Sequence, residues 1–209
     1  MTTFEKIYLA SKSPRRSELL LQVGIDFEVL RLREAAPRGP DVTELVLPGE
    51  IASDYVKRVT QEKADKAWQV LAWRKLPLRP VLSADTTVVL DQAILGKPAD
   101  TAQAQAMLGS LSGRKHQVMT SIALRFHQHL LQVTQVSEVS FRVLSAAEIS
   151  AYCASQEPYD KAGGYGIQGQ AARFIEHISG SYSGIMGLPL YETGQLLQEL
   201  ARLNPQESL

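Results

Sequence analysis

Residues 81–90, VLSADTTVVL, are apolar almost without interruption, the pattern of a strand covered on both faces. Two shorter runs, 7–10 and 27–32, predict strands ahead of it, and between them Ser13 and Pro14 predict a helix over 14–23 that Gly24 ends. Residues 34–50 hold Pro37, Gly39, Pro40, Pro48 and Gly49 and read as a surface loop. From 50 to 73 the period lengthens: Ile51, Tyr55, Val56, Val59, Ala67 and Val70 share one face of a long helix. Asp100 with Gln103 opens a further helix that stops at Ser112-Gly113. Runs 118–126 and 130–144 predict two strands of a hairpin around His127-Gln128-His129, and Ser145 with Glu148 forms a capping box for a helix to about Ser155. A strand is expected over 173–178, a strand and turn over 181–190, and a last helix with Leu196, Leu197, Leu200 and Leu203 on its apolar face. Strand–helix alternation interrupted by a hairpin predicts one α/β domain, 1–209, with a mixed sheet.

Composition narrows the function classes. With 209 residues, 44% of them hydrophobic, the chain can bury a sizeable core. Its 22 basic and 22 acidic residues cancel, which argues against general affinity for nucleic acid or an anionic membrane but leaves room for a local basic cleft. No run approaches the roughly 20 apolar residues of a membrane span. Cys153 is the single cysteine and lies in a predicted helix, so it reads as a packing residue. With no signal-peptide pattern at the N-terminus, the expectation is a cytoplasmic protein.

Against this background a few polar residues stand out. Asp85, set with Thr86 and Thr87 inside the apolar run, must be neutralised, hydrogen-bonded or matched to a cation. Lys97 follows in the stiff turn Gly96-Lys97-Pro98; an acid and a fixed ammonium suit phosphate-and-metal chemistry, and equally a turn-capping Asp beside a solvated lysine. Ser11, Ser13, Arg15 and Arg16 crowd the junction of the first strand and helix, where free N–H groups, the helix dipole and guanidinium forks favour an anion such as phosphate. Lys63 falls within the apolar stripe of the long helix and predicts a buried partner, with Glu62 at the edge of that arc; a snorkelling side chain is the alternative. His127 and His129 at a hairpin tip read as solvated, and His116 as a local polar residue. Residues 157–170 carry Gly163, Gly164, Gly166 and Gly169 beside Asp160, Lys161 and Gln168. Their G-x-G-x-x-G spacing follows a helix and loop, not a strand, so it does not indicate a dinucleotide fold. A glycine-rich loop that approaches a ligand remains, with the Gln168 amide able to donate to and accept from a base edge.

Six stretches, LASKSPRR (9–16), QEKA (61–64), ADTTVVLD (84–91), GKP (96–98), LSGRKHQVMT (111–120) and DKAGGYGIQG (160–169), resemble the Maf family of nucleoside-triphosphate pyrophosphatases. They keep the family's order over nearly the whole chain. The resemblance implies an elongated mixed sheet flanked by helices, two lobes with a nucleotide cleft between them, and a family that is often dimeric. It also implies hydrolysis between the α- and β-phosphates, giving monophosphate and pyrophosphate, with Mg²⁺ or Mn²⁺. Asp85 matches the family's catalytic acid and would bind the metal or activate water. Lys63, Lys97 and Arg16 would compensate phosphate charge. Arg15, Thr86 and Gln168 match the subgroup acting on dTTP and UTP, and modified pyrimidine nucleotides fit the same residues.

One departure concerns the metal. Where the family carries an acidic pair after the second strand, this chain reads Leu32-Arg33-Glu34-Ala35-Ala36, with one acid. Glu34 is the expected second metal ligand, with Glu62, or Asp85 and substrate phosphates alone, as alternatives. A second function class is a regulatory nucleotide-binding protein acting in septum formation; an acid in a core strand favours the enzyme. A metal-dependent nucleotidyltransferase lacks an acceptor-pocket motif.

Overall fold

The structure is a computed structural model that describes residues 4–33 and 39–205. A mixed seven-stranded sheet runs in the order β2-β1-β3-β5-β6-β7, with β4 paired to β3 off that path. Strands β1 (Ile7–Leu9) and β2 (Phe27–Val29) are parallel, joined by α1 (Pro14–Gln22), and β1 is also parallel to β3 (Val81–Leu90). The long strands β3, β5 (Lys115–Phe126) and β6 (His129–Phe141) are antiparallel, as are β4 (Ala93–Leu95) and the edge strand β7 (Ile175–Ser179) to their neighbours. Helices α2 (Ala52–Arg74), α3 (Thr101–Leu111), α4 (Ala146–Ala154), α5 (Tyr182–Met186) and α6 (Leu190–Leu203) cover the sheet. No helix among the described residues is long and apolar enough to cross a membrane.

Strand β3 is covered on both faces, as its composition requires. On one face Val81 packs with Ala67, Val70 and Leu71 of α2, and the Ser83 hydroxyl donates to the Thr60 carbonyl at 2.8 Å. On the other face its apolar residues divide. Leu82 and Ala84 join a core with Leu19, Leu20, Ile122, Leu197 and Leu200. Val88 and Leu90 join a second core with Leu108, Val118, Tyr152 and Phe174. Asp85, Thr86 and Thr87 lie between, so one sheet carries two lobes and the polar step of β3 marks their boundary.

Several expectations change on contact with tertiary structure. Residues 181–190 form α5 and the start of α6, not a strand: Ser181 accepts from the Gly184 N–H at 3.0 Å, and Gly187 ends the turn at φ 116°. Local cap chemistry thus outweighs the apolar run. The short strand β4 comes from a segment to which no element was assigned, just ahead of the expected turn at Gly96-Lys97-Pro98. Ser13 stands at the N-cap of α1, but its side chain makes no cap bond. Ile51 and Leu203, assigned to apolar faces, are exposed, whereas Leu197 and Leu200 are buried. The capping box at Ser145 and Glu148 is present, Asp100 caps α3 through Gln103, and Cys153 is fully buried in α4.

Gly163 docks the glycine-rich loop on β3 at φ 70°, its N–H donating to Gly96 at 3.0 Å; an added Cβ would meet Val88 at 2.9 Å. Gly163→Ala is expected to destabilise by roughly 2–3 kcal/mol through crowding and a left-handed backbone. Gly109→Ala, in α3 with open space around it, should instead stabilise by about 0.5–1 kcal/mol. Urea unfolding midpoints of the two variants should therefore move in opposite directions.

Candidate active site

Strand β1 pairs with β3 as far as Leu82, and β4 takes up the same edge only at Val88. Between them that edge has no strand partner, and a cleft of about 840 Å³ opens along it, within the roughly 300–1,000 Å³ usual for small-molecule sites. Seven cationic and four acidic side chains line the cleft, so a chain of zero formal charge concentrates positive charge there.

Asp85 points towards α2. Its Oδ1 lies 2.8 Å from Lys63 Nζ, and the same ammonium is 2.7 Å from Glu44 Oε1. Lys63 was expected to find a buried partner and finds it in Asp85, with the half-exposed Glu44 as a second. Glu44 escaped the sequence reading because it lies in a loop without periodicity; nothing local marks it as facing residues 19 and 41 positions further on. The loop is strapped to α2. Arg58 clamps both carboxylate oxygens of Glu50, at 2.6 and 2.9 Å, and donates to the Leu45 carbonyl at 2.9 Å. The Tyr55 hydroxyl donates to the Glu44 carbonyl at 3.1 Å. Burial pushes the Glu44 carboxyl up, but Lys63, Lys97 and Arg16 together hold it below its ordinary range. Burial, then the charges of Asp85 and Glu44, push the Tyr55 hydroxyl up, so it stays a donor. Glu62 bonds Arg58 at 3.3 Å instead of lining the cleft.

Arg16 closes part of the open edge. Its guanidinium donates to Ala84 O (2.9 Å), Gly187 O (2.8 Å), Ser11 Oγ (3.0 Å) and Thr86 Oγ1 (3.2 Å). Four of its five N–H bonds thus go to protein acceptors, which makes it first a strut between β3, α1 and α5 and leaves one donor for an anion. Ser11 and Ser13 line the cleft at the start of α1. Arg15 reaches across to Asp160 at 3.3 Å, and Asp160 also holds Lys161. Lys97 lines the cleft with its side chain exposed.

The far wall is the glycine-rich segment, a series of 3₁₀ turns. Glu157 fixes it, accepting from Tyr152 at 2.9 Å and from the Gln170 N–H at 3.0 Å. Gln168 is exposed on this wall. Tyr165 is backed by His116, Nε2 to hydroxyl 2.7 Å. Burial lowers His116 to about 4, so the imidazole is neutral at physiological pH, a local polar role as expected. His127 and His129 join no group that could hold a metal; none of three or more such residues exists among the described residues. Glu34, the expected second metal ligand, lies outside the described residues.

The family model for Maf-like protein matches residues 6–200. The chain belongs to the Maf family. It is 54% identical over 193 residues to a dTTP/UTP pyrophosphatase of Nitrosomonas europaea, covering 92% of this chain and 93% of that one. It is 53% identical to a protein of the same name from Bordetella avium (92% and 94% covered) and 49% identical to one from Dechloromonas aromatica (93% and 97%). Among solved structures, the Staphylococcus aureus Ham1 protein is similar at a TM-score of 0.41 and 14% identity, over 66% of this chain and 72% of that one. In this Maf-family chain nine of the residues singled out in the sequence line one cleft, Ser11, Ser13, Arg15, Arg16, Lys63, Asp85, Thr86, Lys97 and Gln168, whereas Glu62 and His116 do not.

The strap that carries Glu44 has a pH signature. Hydrogen bonds from Arg58, against the opposing effect of burial, bring Glu50 from 4.5 to about 2. A carboxyl depressed on folding stabilises fully above its unfolded value and ceases to do so as pH falls through its folded one. Glu50→Gln should therefore cost a constant increment of stability above about pH 5, and the gap to wild type should shrink between pH 4.5 and 2. Urea titrations at pH 6, 4 and 2.5 would show it.

Proposed function

We propose that this chain is a nucleoside-triphosphate pyrophosphatase that hydrolyses dTTP and UTP, and modified pyrimidine nucleotides of the same shape, to monophosphate and pyrophosphate. The observation that carries this reading is the buried Asp85–Lys63 pair, joined by the half-exposed Glu44, at the unpaired edge of β3, facing a cationic cleft of nucleotide size. The relatives that bear the name dTTP/UTP pyrophosphatase supply the reaction class. In the reaction, water adds across the bond between the α- and β-phosphates and pyrophosphate leaves. Asp85, which lines the cleft, takes the proton of the attacking water, while Lys63 compensates the carboxylate. Lys97, Lys63 and the remaining Arg16 donor offset triphosphate charge, and the N–H groups at the start of α1 add to that field. Thr86 and Gln168 read the base, and Arg15 occupies space that a larger base would need.

The donor set fits a divalent cation. Two carboxylates converge on a single positive charge, and hard oxygen ligands completed by substrate phosphates are the usual Mg²⁺ arrangement. Asp85 and Glu44 would hold the ion, with Glu44 in the role first expected of Glu34. A bound Mg²⁺ or Mn²⁺ would supply charge neutralisation at the phosphoryl oxygens.

Pyrophosphate release from a panel of nucleoside triphosphates, with Mg²⁺ or Mn²⁺, tests the reading. Wild type should turn over dTTP and UTP, and Asp85→Asn should lose at least 10³-fold in kcat with the fold intact, on the order of a missing general base together with a lost metal ligand. Silence of the wild type on every triphosphate, with nucleotide binding retained, would shift the weight to a regulatory nucleotide-binding role. Gln168→Glu should change the order of preference among bases; an equal loss on all of them would remove Gln168 from base reading.

A further inference from the structure

The hydroxyls of Thr86 and Thr120 lie 2.9 Å apart, and the pair is ambiguous until its surroundings are counted. Thr120 is fully buried, and its Oγ1 stands 2.8 Å from the Gly184 carbonyl, which can only accept. The single proton of Thr120 is therefore committed to Gly184. Thr86 must then donate its own proton to Thr120, and it accepts from Arg16 Nη2 at 3.2 Å. The chain runs one way, from guanidinium to Thr86 to Thr120 to carbonyl. Thr86 is left with one lone pair and no proton for anything that enters the cleft it lines.

We propose that Thr120 is a positioning residue that makes the Thr86 hydroxyl an acceptor only, so that the cleft selects bases presenting a ring N–H, the imide of uracil and thymine, over cytosine. Cytosine's ring N3 is itself an acceptor, and placed against Thr86 it would set two lone pairs face to face. A free threonine hydroxyl could rotate to serve either ring; this one is held by partners on both sides. The inference rests on the reading of Thr86 as a base contact in the proposed function, and adds to it a residue that does not touch substrate.

The test compares kcat/KM for UTP and CTP in wild type, Thr120→Val and Thr120→Ser. Wild type should prefer UTP. The valine variant removes the acceptor of the Thr86 proton, so that proton can turn to cytosine, and the UTP:CTP ratio should fall roughly three- to tenfold, the range of one neutral hydrogen bond. The drop should come chiefly from a gain on CTP, which a merely loosened structure would not give. Serine keeps the hydroxyl and should restore the wild-type ratio. Equal use of CTP and UTP by the wild type overturns the inference without any variant. So does an unchanged ratio in a folded Thr120→Val protein that still hydrolyses UTP. A wild type inactive on both nucleotides overturns the pyrophosphatase reading, and this inference with it.

Discussion

A carboxylate in the central strand of a sheet has to be compensated, and much of the site follows from how Asp85 is. Leaving one member of a buried ion pair alone costs roughly 3–5 kcal/mol, a large share of the stability of a domain this size. Lys63 supplies the partner from α2, and the register that allows it is pinned one turn earlier, where the Ser83 hydroxyl bonds the Thr60 carbonyl. Because Lys63 in turn takes Glu44, a loop with no regular structure is drawn over the same point and strapped there by Arg58 and Tyr55. Charge compensation and the convergence of the two acids on one ammonium are one event.

The open edge of β3 raises a second requirement, since buried carbonyls need donors. A strand would satisfy them but would fill the cleft. Arg16 meets the need at Ala84 from the side and leaves the space free, while tying α1 and α5 to the strand. The role expected of Arg16, phosphate compensation, is thereby reduced to one remaining donor. What the residue does for the fold became visible only when its acceptors, 68 and 171 positions away in the chain, were brought beside it.

Legibility in the sequence followed the range of the forces involved. β3, the long helix and the caps at Asp100 and Ser145 rest on local periodicity and short hydrogen bonds, and they appear where expected. Lys63 was readable because a lysine on an apolar arc violates a local rule. Glu44 violates none, and the expected second acid, Glu34, rests on the position of the family's acidic pair and lies outside the described residues. Residues 181–190 were misread because an apolar run of that length does not distinguish a strand from a short capped helix, and the Ser181 cap decided it.

Two lobes usually suggest a hinge, but here β3, β5 and β6 pass without interruption from one core to the other. Swinging the lobes apart would break the ladder that crosses the boundary. The sheet side of the cleft is thus one continuous plate, set when the protein folds. Adjustment to a guest falls to what is mounted on the rim, the strapped Glu44 loop and the Arg15–Asp160 bridge. A guest meets a floor that does not bend at the boundary between the two cores, because the same ladder carries both.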